Sequence, residues 1–87
     1  MFQIGRTTNQ LKQLPLNAVF VWRDSNLSYP QALAKRINRL DIEIVSPFWV
    51  TEFKYVGREL TGFSIDHSIN SCNKIYSYIP DILARIR

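Results

Sequence analysis

A chain of 87 residues, 46% hydrophobic and 21% charged, can close one domain around a thin core. That balance excludes a disordered or collagen-like chain and leaves no room for an enzyme with a separate substrate domain. Eleven Lys and Arg against seven Asp and Glu give a net charge of +4, which admits nucleic acid or an acidic protein as partner, although no basic run exceeds two residues.

In chain order, Met1-Phe2-Gln3-Ile4 reads as a short strand or a frayed end, broken by Gly5. Thr7 or Thr8 caps a short helix that runs to about Leu14 and stops at Pro15. Ala18-Val19-Phe20-Val21-Trp22 is a dense, non-alternating apolar run, the pattern of a strand buried on both faces. After the polar loop Arg23 to Leu27, Leu33, Ile37 and Leu40 recur at helical spacing, with Lys35, Arg36 and Arg39 facing away; the helix spans about 29–39. Ile42 to Val45 is a second strand. Ser46 as cap and Pro47 at the first position open one or two helical turns over 48–53. Gly57 and Arg58 mark a loop, and Thr61 to Asp66 is a third strand that ends in an acid. Ile75, Ile79, Ile82, Leu83 and Ile86 follow a helical period, which Pro80 must kink or divide.

Strand and helix alternate throughout, so the expected fold class is α/β: one domain over residues 1–87, with a parallel sheet of three or four strands in two or three layers. Right-handed crossovers put the carboxyl ends of the strands on one edge, where open sheets of this class place their binding crevice. The residues expected there are Trp22, Arg23 and Asp24, then Ser46 and Pro47, then Asp66 and His67.

Cys72 is the single cysteine. No internal disulfide can form, which fits a reducing, cytoplasmic setting, and Cys72 reads as a small buried hydrophobe. One His and one Cys without clustered acids make no metal centre. No basic-then-apolar leader and no apolar stretch of ~18 residues appears, so neither a signal peptide nor a membrane partner is expected.

The segment with chemistry in it is Ile4-Gly5-Arg6-Thr7-Thr8, ahead of the expected helix. A phosphate-binding loop needs a glycine, then a cation, then a hydroxyl for Mg²⁺, at a helix start. Gly5, Arg6, Thr7 and Thr8 supply those types in that order, and Asp66 places a carboxylate at a strand end, where nucleotide-hydrolysing folds hold the metal. In these residues the chain resembles the helicase-like P-loop NTPases. The resemblance implies ATP or GTP with Mg²⁺ as cofactor, with Arg6 in the lysine position, Thr7 in the Ser/Thr position and Asp66 as the metal-holding acid. It also implies a compact chain of the kind phages and mobile elements encode. The family's first loop glycine would fall before Met1, Arg replaces Lys, and His67 stands where many hydrolysing members carry Glu. A shrunken relative that holds nucleotide weakly or not at all is therefore expected. A second stretch, Ile44 to Val50 followed by Gly57-Arg58, resembles the Trp-bearing helix of BRCT domains, which bind phosphopeptides and DNA ends.

Three readings follow. The first is a small non-catalytic binding or interaction protein. The second is a minimal nucleotide binder using Gly5, Arg6, Thr7, Thr8 and Asp66. The third is a nucleic-acid binder using the basic helix face Lys35, Arg36 and Arg39. A sheet only three strands wide need not cover the whole stripe Ile75, Ile79, Ile82, Leu83 and Ile86, which makes that stripe a candidate interface for a homodimer or a protein partner.

Overall fold

The structure, a computed structural model, describes the backbone of residues 2–70 and 73–86 and the side chains of residues 5–70 and 73–86. Cys72, read above as a buried hydrophobe, lies outside the described residues.

Three apolar runs form the strands β1 (Val19–Val21), β2 (Glu43–Val45) and β3 (Phe63–Ile65). All pair in parallel, in the order β2-β1-β3, with Val19 level with Glu43 on one side and Phe63 on the other. The ladder runs past the strand ends: Val19 N–H donates to the Gly62 carbonyl (3.0 Å), Trp22 N–H to Val45 (2.8 Å) and Asp66 N–H to Val21 (3.0 Å). The first strand in the chain is thus the central one, and its three residues are fully buried, as its non-alternating pattern requires.

Helices cover both faces, giving three layers. On one side α1 (Phe2–Gln13) and α2 (Ser28–Arg36) pack Leu11, Leu33 and Ala34 against Phe20, Trp22 and Ile42. On the other side lie α3 (Phe48–Thr51), a 3-10 segment (Lys74–Tyr78) and α4 (Ile79–Leu83). There Trp49, Val50, Ile75 and Ile82 close on Val19, Val21 and Val45. Pro80 divides the last helical stretch: it sits in the first turn of α4, where its missing N–H costs nothing. No described helix is long and apolar enough to cross a membrane.

Several expectations change. Residues 2–4 are helical rather than a strand, and α1 runs through Gly5 instead of starting at Thr7 or Thr8. A glycine inside a helix costs only about 1 kcal/mol, which the tertiary contacts of α1 outweigh. The second helix ends at Arg36. Asn38, at φ 60°, reverses the chain while its N–H and that of Arg39 bond back to Lys35 and Ala34 (3.1 and 2.8 Å). Leu40 therefore lies beyond the helix and is exposed, not on its apolar face. Ser46 does not cap α3 through its side chain; Pro47 precedes the first turn and Ser46 contributes its carbonyl to Trp49 N–H (3.0 Å). Phe53 closes α3 with φ 58° and the same pair of return bonds, from Phe53 N–H to Val50 and from Lys54 N–H to Trp49.

The candidate interface stripe is largely core. Ile75 and Ile82 are fully buried, Ile79 is half-buried, and Ile86 packs on the same core and bridges to Leu60. Leu83 alone of the five is exposed. The 3-10 segment and α4 cover the sheet face that three strands would otherwise leave open.

Candidate functional site

At the carboxyl edge of the sheet the chain leaves β3 through Asp66, which is completely buried. Its backbone N–H still belongs to the ladder, so its position is fixed by β1. One carboxylate oxygen, Oδ1, accepts a hydrogen bond from the Thr7 hydroxyl (2.9 Å). The other, Oδ2, accepts from the Ser68 N–H (3.0 Å) and from the Ser68 hydroxyl. Thr7 comes from α1, 59 positions earlier, and is itself 3% exposed. The pair joins the first helix to the end of the third strand.

Gln10 adds a second tie one turn further along α1. Its Nε2 donates to the Ile65 carbonyl (3.1 Å), while its Oε1 accepts from the His67 N–H (3.1 Å) and lies 3.2 Å from His67 Nδ1. Thr7, Gln10 and Leu11 share one face of α1, because residues three and four apart are neighbours on a helix. Thr7 and Gln10 reach the edge of β3 and Leu11 enters the core, with Leu14, just past the helix, packed against it.

Beside this clamp, Arg6, Asn9, Gln10, Gln13 and His67 line a cavity of 270 Å³. A second cavity, of 310 Å³, opens at the end of β1 between Trp22, Arg23, Asp24, Asn26, Ser28 and Tyr29. There the Arg23 guanidinium lies 4.7 Å from the Trp22 ring, and Asp24 accepts from Asn26 N–H (2.8 Å) to tighten the loop.

The residues do not fit a nucleotide–Mg²⁺ site of the P-loop kind. Gly5, Arg6, Thr7 and Thr8 lie inside α1, so the N–H groups from Arg6 onward belong to the helix ladder and cannot wrap an anion. A Cβ on Gly5 would meet nothing within 4 Å, so no close approach demands glycine there. Mg²⁺ needs a near-octahedral shell of oxygens, yet both Asp66 oxygens are occupied and the group is sealed from solvent. Among the described residues no group of three His, Cys, Asp or Glu could hold a metal. Of the nucleotide constellation, the structure joins Thr7 to Asp66 and puts Arg6 beside His67; it does not form the loop.

The basic face does not hold together as a patch. Arg39 turns inward, away from Lys35 and Arg36, which stay exposed. Its guanidinium donates to the carbonyls of Leu11 (3.1 Å), Lys12 (3.2 Å), Leu14 (2.9 Å) and Pro15 (3.1 Å), and to both oxygens of Asp41 (3.1 Å each). It closes the end of α1, where carbonyls lack helical partners. Hydrogen bonding from Arg39, then from the Asn17 N–H, holds the Asp41 carboxyl down to about 2. The same pairing raises the Arg39 pKa.

Gln10 and Ser68 are organising residues that sequence reasoning passed over, and Arg39, read there as part of a basic face, instead clasps the end of α1. The Asp66-His67-Ser68 spacing was one available signal, since an Asp and a Ser two residues apart favour a side-chain-closed turn.

Compared with protein-family models, with curated proteins and with solved structures, the chain matches none.

Proposed function

We propose that the protein is a small non-catalytic binding module that takes a phosphate-bearing ligand in the cavity between α1 and the turn after β3. The supporting observation is the chemistry of that cavity's lining: the Arg6 guanidinium with the side-chain amides of Asn9 and Gln13, and no carboxylate among the lining residues, while Gln10 and His67 Nδ1 are engaged with each other at its edge. Donors around a cation suit an anion. Asp66, the acid that a hydrolytic reading requires, is sealed behind the cavity by Thr7 and Ser68 and orders the site instead of acting on a ligand. The Thr7–Asp66 bond holds α1 against the end of β3, so Arg6 and His67 face one ligand without rearrangement. At 270 Å³ the space suits a phosphate or diphosphate group rather than a whole nucleotide.

The test is calorimetric titration of the full chain with inorganic phosphate, pyrophosphate, ATP and GTP, each with and without Mg²⁺. Saturable binding that needs no Mg²⁺, disappears in Arg6→Ala and yields no hydrolysis supports the reading. An absence of heat up to millimolar ligand refutes it. A strict Mg²⁺ requirement would instead restore the nucleotide reading.

A further inference from the structure

The charge of the chain is divided between its two faces. Residues 1–39 hold six Lys and Arg against one Asp, a balance of +5, whereas residues 40–87 hold five against six, a balance of −1. Within the first stretch β1 is uncharged, so every charged side chain there falls on α1, α2 or the turns around them. Neither helix contains a carboxylate. The other layer mixes acids with its cations, with Glu52 closing α3 and Asp81 in α4. The fold thus collects the positive excess of the protein on the α1/α2 layer.

Arg39 is engaged with Asp41 and with carbonyls at the end of α1, so the two helices end side by side. Lys12 stands in the last turn of one, Lys35 and Arg36 in the last turn of the other. Arg6 lies about 9 Å back along α1. These four stay exposed, and among the described residues none of them is ion-paired. In the first turn of α2, Tyr29 is 42% exposed and its ring is braced on Trp22 (centroids 5.5 Å apart), with the Arg23 guanidinium over the same indole. All of this lies within one helix length, about 18 Å, and one helix spacing, about 8–10 Å. A few nucleotides cover that area.

We infer that the α1/α2 layer binds single-stranded nucleic acid: one backbone phosphate enters the Arg6 cavity, others meet Lys12, Lys35 and Arg36, and a base stacks on Tyr29. The inference rests on the phosphate reading of that cavity and names the molecule that carries the phosphate. Unpaired cations beside a braced, exposed aromatic ring are what such a strand uses, because every base has a face to stack. A duplex keeps its bases stacked on each other and offers none to Tyr29. An anionic membrane would need apolar side chains among the cations, yet the exposed Phe48, Phe53 and Leu83 belong to the α3/α4 layer. An acidic protein would leave the phosphate-sized cavity without a role.

The experiment is fluorescence anisotropy of a labelled oligothymidine about 12 nucleotides long, titrated with the full chain at several salt concentrations, beside calorimetry with inorganic phosphate. A dissociation constant of ~10–100 µM at low salt is expected, with a slope of log K on log salt of about −3, from four phosphate contacts at about −0.7 each. Arg6→Ala should flatten that slope by about 0.7 and Lys35→Gln/Arg36→Gln by about 1.4. Tyr29→Ala should weaken binding at least ~5-fold and leave the slope unchanged; Tyr29→Leu serves if that variant does not fold. Lys54→Gln, beyond α3, should change neither. Phosphate binding without oligonucleotide binding overturns the inference and leaves the cavity reading standing; no binding of either removes both. The inference also falls if Arg6→Ala leaves the slope intact or if loss of the Tyr29 ring has no effect. It falls equally if a duplex of the same length, poly-glutamate or phosphatidylserine vesicles bind as tightly as the single strand.

Discussion

Replacing Arg39 by Ala removes six hydrogen bonds in one step, four of them to carbonyls around the end of α1 and two to Asp41. Bonds involving a charged group contribute about 1.5–3 kcal/mol each when enclosed. The Arg39 side chain retains 17% of its exposure and Asp41 21%, so water replaces some of that interaction. For an exposed ion pair the net contribution is only about 0.2–1 kcal/mol. Charge at the helix end adds about 0.3–1 kcal/mol. The four carbonyls share two nitrogens and can partly recover water; together they contribute about 2 kcal/mol on this reasoning. The expected loss for Arg39→Ala is therefore about 3 kcal/mol, or a fall in Tm of roughly 12–24 °C for a domain of this size. Arg39→Lys keeps the charge but not the planar fork, and should lose more than half as much. Thermal unfolding followed by far-UV circular dichroism, with urea denaturation beside it, measures both. Arg36→Ala, which alters an exposed residue on the same helix, is the control and should stay within about 0.5 kcal/mol. If Arg39→Ala also stays within that limit, the guanidinium does not hold α1 to the rest of the fold.

Acid titration reads the same clasp from the other side. The Asp41 carboxyl is held to about 2, below its ordinary value, so its contribution is complete above the unfolded pKa near 4 and is lost as pH falls from about 4 towards 2. Asp41→Asn should flatten that part of the stability profile; an unchanged acid limb would dismiss the pair. Thr7→Val keeps the shape of the side chain but leaves Asp66 Oδ1 without its hydroxyl donor in a buried setting. A loss of about 1–3 kcal/mol is expected in urea unfolding, together with weaker phosphate binding; full stability would mean the pair carries no tension between helix and strand. Asn38 occupies the left-handed region, so Asn38→Ala should cost about 1 kcal/mol while Asn38→Gly stays near neutral, both by thermal melts. Gly62→Ala would place a Cβ 2.8 Å from two Pro15 ring atoms, and a loss of about 1–3 kcal/mol is expected by the same assay. An unaffected Tm would show that the Pro15 turn yields freely.

The sheet was readable because hydrophobic runs report burial directly. Val19, Phe20 and Val21 have no polar alternation, and the fold places that strand at the centre. The strand-end edge with Asp66 and His67 was readable for the same reason: handedness leaves little choice once strands and helices alternate. What escaped depended on contacts between distant residues. The spacing of Lys35, Arg36 and Arg39 describes a polar face, but not that Asn38 ends the helix and swings Arg39 back to the end of α1. Gly5 to Thr8 has the composition of a loop, yet it is helix, and the anchoring of Thr7 and Gln10 to the end of β3 is a contact between distant residues that spacing does not report. The stripe from Ile75 to Ile86 carries a helical period whether it faces a partner or a sheet; the choice rests on how far three short strands extend.

The order β2-β1-β3 also sets a timetable for folding. The central strand is the first to leave the ribosome, and it has no neighbour until β2 appears. Joining β1 to β2 through α2 closes the shorter loop, from Val19 to Glu43. Joining β1 to β3 closes one nearly twice as long, from Val19 to Phe63, at an added entropic cost of about 0.5 kcal/mol. The β1-α2-β2 unit should therefore form early and β3 dock late. Until it does, the β1 edge facing β3 is an open template. The bond from Thr7 to Asp66 joins the earliest helix to the latest strand, so it can form only when that docking is complete, and its appearance marks the arrival of the native state.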